Sequence, residues 1–351
     1  MGTCRSCNKR SRIISKKIGY CADCLRKNFP LIKEEIKEIH KNLKKAFSLP
    51  EEVPHSLAGK KCGQCVNDCR MLNNELGYCG LIKNEKGIIK RSTDFGYLDF
   101  YYDPLPTNCV ASFICPGREK GYNLAIFFRH CSFNCLYCQN WHFRLPAKRR
   151  YSIAEMVAKV NPSVFCVCYF GGDPTPNINY VIKLSEKILA KQKCRLCLET
   201  NGSLNLKIFK KVVDLALKSG GIIKIDLKAF SKEIHYTLTG SDNQNTLRNI
   251  EYCAQFFEKR KEPPLLVVAT LLVPGYVDFY EIENIVKFIS QINPEIPLSF
   301  LAYYPTFYLN DLPRTSQAHA ELAKKIALKY GLKKVNIGNS HLLSNDYFID
   351  F

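Results

Sequence analysis

"RHCSFNCLYCQNWHF", residues 129–143, carries Cys131, Cys135 and Cys138 in one loop and offers no fourth cysteine. A structural zinc site closes with four ligands, so three thiolates leave zinc under-ligated. They suit three irons of a [4Fe–4S] cluster whose fourth iron stays open, and an open coordination position marks a catalytic metal site. The loop directly follows "NLAIFF", an apolar run read as a strand. In a parallel βα fold the loops after strands form the reactive face.

Five further apolar runs, "SVFCVCYF", "RLCLET", "GIIKIDL", "LLVVATLLV" and "LSFLAYY", read as buried parallel strands. Amphipathic helices separate them. One starts at Ser152 with Glu155 three residues on, a capping box; another stops before Gly331. Repeated βα units over residues 121–351 predict an α/β fold, a partial parallel barrel of the (βα)6 type with six or seven strands. Ahead of it lies a Cys-rich extension. Residues 59–120 hold Cys62, Cys65, Cys69 and Cys79, four thiols for zinc or for an iron–sulfur cluster. Cys109 and Cys115 follow, as ligands, near-site residues or plain buried thiols. Residues 1–58 hold Cys4, Cys7, Cys21 and Cys24, two CxxC pairs spaced as in a zinc knuckle. Pro30 then opens a polar helix, "LIKEEIKEIHKNLKKAF", which links the knuckle to the rest.

The chain has 351 residues, 46% hydrophobic, with no apolar run long enough to cross a membrane. Its N-terminus lacks an apolar signal region, so a cytoplasmic protein is expected. There the 18 cysteines are metal ligands or free thiols rather than disulfides. The net charge of +19 favours an acidic partner such as RNA or an acidic or phosphorylated protein, although scattered lysines also suit a plain solvated surface.

The three-cysteine loop resembles that of the radical S-adenosylmethionine (SAM) superfamily, and other segments match in chain order. The resemblance implies a [4Fe–4S] cluster whose open iron chelates SAM, with Tyr137 meeting the adenine. "FGGDPTP" resembles the glycine-rich stretch that receives the cofactor's amino group, at Gly171, Gly172 and Asp173, where many relatives have Glu in place of the Asp. "LETNG" puts Glu199 and Asn201 at a strand end, and "IDLKAF" resembles the Asp-x-Lys motif of glycyl-radical activating enzymes at Asp226 and Lys228. The nearest resemblance is to radical proteins related to pyruvate formate-lyase activating enzyme, over about residues 60–340, including "CQNW" and the late Gly338–Asn339 pair. It implies a radical enzyme that abstracts hydrogen from a protein or another cytosolic substrate, with a flavodoxin or ferredoxin as electron donor. An RNA- or tRNA-modifying radical enzyme is the alternative, and a metal-binding scaffold a third reading. His130 and His142 flank the cluster loop; His235 is either a cleft residue or an ordinary helix residue.

Overall fold

Two faces of each apolar run meet different surroundings, and this builds the architecture. The computed structural model describes residues 1–117, 119–147 and 149–347. Nine strands form one sheet: β1 (Phe95–Pro104), β2 (Tyr122–Phe128), β3 (Arg150–Ser152), β4 (Val164–Gly171), β5 (Arg195–Thr200), β6 (Ile223–Asp226), β7 (Leu266–Leu272), β8 (Leu298–Ala302) and β9 (Val335–Gly338). Their order is β9-β8-β7-β6-β5-β4-β2-β1-β3. Neighbours from β2 to β9 all pair parallel, which makes seven parallel strands. β1 runs antiparallel to β2, and β3 to β1. The six apolar runs are β2 and β4 to β8; β9, β1 and β3 are additions the sequence pattern did not announce.

Helices cover the outer face: α1 (Ala22–Lys45), α2 (Ile153–Lys159), α3 (Ile178–Lys191), α4 (Leu206–Ser219), α5 (Lys232–Thr239), α6 (Gln244–Ala254), α7 (Phe279–Ile292) and α8 (Gln317–Lys329). In β4, Val167 and Tyr169 join the core beneath the helices, whereas Cys166, Cys168 and Phe170 line cavities in the lumen. The strand period of two produces this division. Ser152 caps α2 with a reciprocal capping box to Glu155.

The N-terminal helix departs from expectation. It begins at Ala22, upstream of Pro30, and Asn28 breaks its helical geometry. Pro30 therefore opens a second segment, where a missing N–H costs least. That segment buries Ile32, Ile36, His40 and Leu43, a stripe of i, i+4, i+8 and i+11 spacing that packs on α5. It belongs to the same core as the barrel. His40 Nε2 lies 3.1 Å from the carbonyls of Tyr236 and Thr237.

Candidate active site

The loop after β2 cannot hang free, because its backbone is bonded on two sides. Asn134 N–H donates to Thr239 O (2.8 Å) and Leu136 N–H to Leu238 O (3.0 Å), at the end of α5. Leu136 O in turn accepts from the N–H groups of Tyr308 and Leu309. So held, Cys131, Cys135 and Cys138 line a cavity of about 250 Å³ in the barrel mouth. Burial pushes the Cys135 thiol up to about 12 and that of Cys131 well above its ordinary value. Bare, these two stay protonated, so a bound metal must displace the protons. Two donors already point at Cys131 Sγ: Phe133 N–H at 3.4 Å and Asn201 Nδ2 at 3.8 Å.

The glycine-rich stretch lies against this loop, and its glycines are required sterically. Gly171 has φ +110°, and a Cβ there would meet Phe128 N at 2.6 Å. A Cβ on Gly172 would meet His130 O at 2.2 Å. Only residues without a side chain allow so close a backbone approach. Asp173 serves as a brace: Oδ1 accepts from Thr175 N–H (2.7 Å), and Oδ2 from Asn201 N–H (2.7 Å) and Thr200 Oγ1 (3.0 Å). It ties the end of β4 to the end of β5 while forming part of the cavity wall. Asn201 faces the triad, with Nδ2 donating to Ser132 Oγ at 2.9 Å.

Across the cavity runs a row of alternating charges. Lys224 Nζ lies 3.1 Å from Glu199 and 3.2 Å from Asp226, and Lys228 Nζ lies 2.8 Å from Asp226. The two lysines hold the Asp226 carboxyl down at about 2 against the opposing effect of burial, and Asp226 raises both lysines. Leu227, between Asp226 and Lys228, is fully buried in the outer core. Sequence reasoning missed Lys224, yet its signal was present in "IKIDLK": two residues before Asp226 on a strand, it shares Asp226's face.

Tyr137 is buried in the same wall, and its hydroxyl has no partner among the described residues. Three thiols without a fourth, an unsatisfied hydroxyl, a close-packed glycine turn and a charge-balanced row fit a three-thiolate cluster with a polar zwitterionic ligand beside it. Asn339, of the late Gly-Asn pair, also reaches the cavity. His235 does not: it is buried in α5, with Nδ1 2.8 Å from Ser241 O and its ring edge-on to Phe133. His130 turns its Nδ1 to Cys79 O (3.2 Å), and His142 stacks on Trp141. Trp141 itself stacks on Phe307 with rings 10° from parallel, fastening the end of the cluster loop to the turn after β8.

Apart from the buried Cys194 and Cys253, the remaining cysteines form three separate groups. The sulfurs of Cys4, Cys7, Cys21 and Cys24 all lie within 4.8 Å of one another. Cys62, Cys65, Cys69 and Cys79 line one small cavity behind the triad loop. Cys109 and Cys115 line a third, lower in the lumen, with Cys166, Cys168 and Cys197; Lys224 and Glu199 separate it from the mouth.

Comparison with known proteins agrees with this geometry. The family model of the radical SAM superfamily matches residues 125–289. A Methanocaldococcus jannaschii protein named as a candidate glycyl-radical enzyme activating enzyme is 32% identical over 209 residues, 57% of this chain and 74% of that protein. An uncharacterized protein of the same organism is 25% identical over 299 residues, 80% of this chain and 81% of its own length. Among solved structures, a domain of pyruvate-formate lyase-activating enzyme from Bacteroides vulgatus aligns with a TM-score of 0.41 and 20% identity, over 50% of this chain and 99% of that one. No helix among the described residues is long and apolar enough to cross a membrane. With the matched region spanning the triad, the glycine turn and the charged row, and with most of a 32% identical relative covered, the chain belongs to the radical SAM superfamily and is a radical SAM enzyme.

Proposed function

We propose that this enzyme abstracts hydrogen from a peptide or protein, as an activating enzyme would. Cys131, Cys135 and Cys138 would ligate a [4Fe–4S] cluster, and Tyr137, the Gly171–Gly172 turn, Asp226 and Lys228 would hold SAM against it. Bound together, cluster and SAM supply one-electron cleavage of the sulfonium to methionine and a 5′-deoxyadenosyl radical. The protein's part is to orient and to exclude water. Asp173 and Asn201 fix the triad loop to the strand ends, and the charged row, paired within itself, would meet a zwitterion through Asp226 and Lys228. The observation that carries this reading is the triad sharing one cavity wall with that row.

A low-potential flavodoxin or ferredoxin would supply the electron, and the knuckle cysteines would hold zinc. A reducing cytoplasm suits both, since 18 thiols and a three-cysteine cluster would not survive oxidation. The test is anaerobic 5′-deoxyadenosine formation by the wild-type chain and by the triple variant Cys131→Ala/Cys135→Ala/Cys138→Ala. Loss in the variant is expected; equal product from both would end the proposal. Deuterium transfer from a labelled peptide into 5′-deoxyadenosine would identify the substrate class, and transfer from labelled RNA instead would replace protein as the target.

A further inference from the structure

We infer that Cys62, Cys65, Cys69 and Cys79 hold a second iron–sulfur cluster, which relays electrons to the triad. The inference rests on the triad reading above. The sequence left zinc and iron equally open for these four; three structural observations separate them.

The first is the spread of the sulfurs. A zinc tetrahedron with bonds of about 2.3 Å has an edge of about 3.8 Å. The knuckle matches it, with Cys7 and Cys21 Sγ 3.9 Å apart and all four sulfurs within 4.8 Å. Among the described residues no other three metal-ligating groups gather so closely. In the second quartet, as in the triad, no three sulfurs gather within 4.8 Å, although its four cysteines line one cavity. A guest of several irons suits thiols held farther apart than the edge of a zinc tetrahedron. A backbone N–H is aimed at one of the sulfurs as well, from Tyr78 to Cys69 at 3.4 Å. Such bonds tune cluster potentials.

The second is a buried cation. Lys44 is 2% exposed, its Nζ donates to Tyr78 O, and it lies over the Tyr78 ring. Among the described residues no carboxylate pairs with it, burial pulls its amine down to about 7, and Cys79 and Cys131 line the same small cavity. An ammonium buried without an opposite charge costs several kcal/mol. Anionic thiolate clusters on both sides would supply that charge.

The third is adjacency. Cys79 and Cys131 line one small cavity with Lys44 and His130. Asn67 Nδ2 donates to Ser132 O at 2.6 Å, beside Cys131, and Ser132 also borders the quartet's cavity. The two ligand sets thus share a wall. Four thiolates close every iron of a cubane, so the second cluster has no site for SAM and serves electron transfer. The step is balanced: the reduced second cluster loses one electron, and the oxidised triad cluster gains it. The second cluster is then re-reduced by an external one-electron donor of the flavodoxin or ferredoxin class.

The full-length chain, purified and reconstituted without oxygen, provides the test. Wild type should hold about eight irons and the triad triple variant about four, one cubane each. The variant should keep a reducible cluster whose electron paramagnetic resonance does not respond to SAM, with zinc unchanged and a wild-type circular dichroism spectrum. Cys62→Ala/Cys65→Ala should keep the SAM-responsive signal but lose the other, and slow reduction by flavodoxin at least tenfold. Lys44→Met should lower the second cluster's potential, because a nearby positive charge stabilises the reduced form. A folded triad variant with no iron and extra zinc would overturn the inference, as would unchanged flavodoxin reduction in Cys62→Ala/Cys65→Ala. Failure of the triad reading looks different: no signal in the wild type would then respond to SAM.

Discussion

Asp226→Asn is the substitution through which fold and chemistry can be weighed together. Two ammoniums, Lys224 and Lys228, face two carboxylates, Glu199 and Asp226, so the row is neutral. The amide leaves an excess positive charge, and Lys228 loses the carboxylate that lies 2.8 Å away. Breaking a buried pair from one side costs about 3–5 kcal/mol. The acidity gives a second figure: a carboxyl held at about 2 rather than 3.8 is worth about 2.5 kcal/mol near neutral pH. The first figure is larger because it includes the stranded ammonium. With an unfolding entropy of about 2.1 cal/mol/K per residue, the loss lowers Tm by roughly 4–7 °C. Because the folded-state acidity is enhanced, this stability is present above the unfolded value and vanishes as pH falls towards 2. Calorimetry of the apo chain reads the Tm, and titration of SAM into the anaerobically reconstituted protein reads affinity. Iron content should stay at wild type while SAM binding weakens at least tenfold. Asp226→Asn/Lys228→Met restores neutrality and should regain most of the Tm but not the affinity. An unchanged Tm in the single variant, or wild-type affinity in the double, would refute this account of the row.

Tyr137→Phe removes a buried hydroxyl that has no partner among the described residues, so the apo chain should keep its stability or gain about 1 kcal/mol, while SAM affinity falls; a destabilised apo variant would show that the hydroxyl is already bonded. Cys4→Ser/Cys24→Ser should lose about one zinc per chain and retain the triad's iron, as measured by metal analysis; full zinc retention would place that ion elsewhere. Burial holds His40, His235 and His319 at about 4, well below their ordinary 6.5. The unfolded chain therefore takes up protons first, and stability falls as pH drops below 6.5, by about 1.4 kcal/mol per histidine at pH 5.5. With His130, which burial also holds at about 4, the four together should lower Tm by roughly 8 °C between pH 7.5 and 5.5, and His319→Gln should flatten that slope by about a quarter; a flat profile in the wild type would show that these imidazoles are not kept neutral.

What could be read from the sequence was what is local. The triad needs only eight consecutive residues, and β4 to β8 are continuous apolar runs because both of their faces are buried. β9, "VNIG", is half-exposed at the sheet edge and too short to stand out. β1 pairs with β2 over seven residues, Leu98 to Pro104, but the adjacent Tyr101 and Tyr102, on opposite faces, are both exposed, so no clean alternation marks it. The motif residues Gly171, Asp226 and Lys228 were legible as strand-end positions. Their division of labour was not: that Asp173 spends its carboxylate on Thr175, Thr200 and Asn201 depends on where β5 ends relative to β4, a matter of register between segments almost thirty residues apart.

The N-terminal segment shows the same limit at greater range. Read alone, it is a knuckle and a polar linker helix. Folded, Ser15 N–H donates to the Tyr276 hydroxyl, and that hydroxyl donates to Tyr20 O. Ser15 Oγ and Lys16 N–H both reach Asp311, and Arg26 bonds Asp278 beside buried Glu281. Tyr276, Asp278 and Asp311 lie in loops that follow β7 and β8, at the carboxyl ends of the strands, where the reactive face is. The approach is so close that a Cβ on Gly275 would meet Ile13 O at 2.0 Å. The knuckle is thus built into the rim of the barrel mouth, and the helix behind it delivers Lys44 to the gap between the two inner cysteine sets. One continuous segment therefore braces the entrance with its first half and supplies the buried cation with its second, which no spacing of cysteines could have announced.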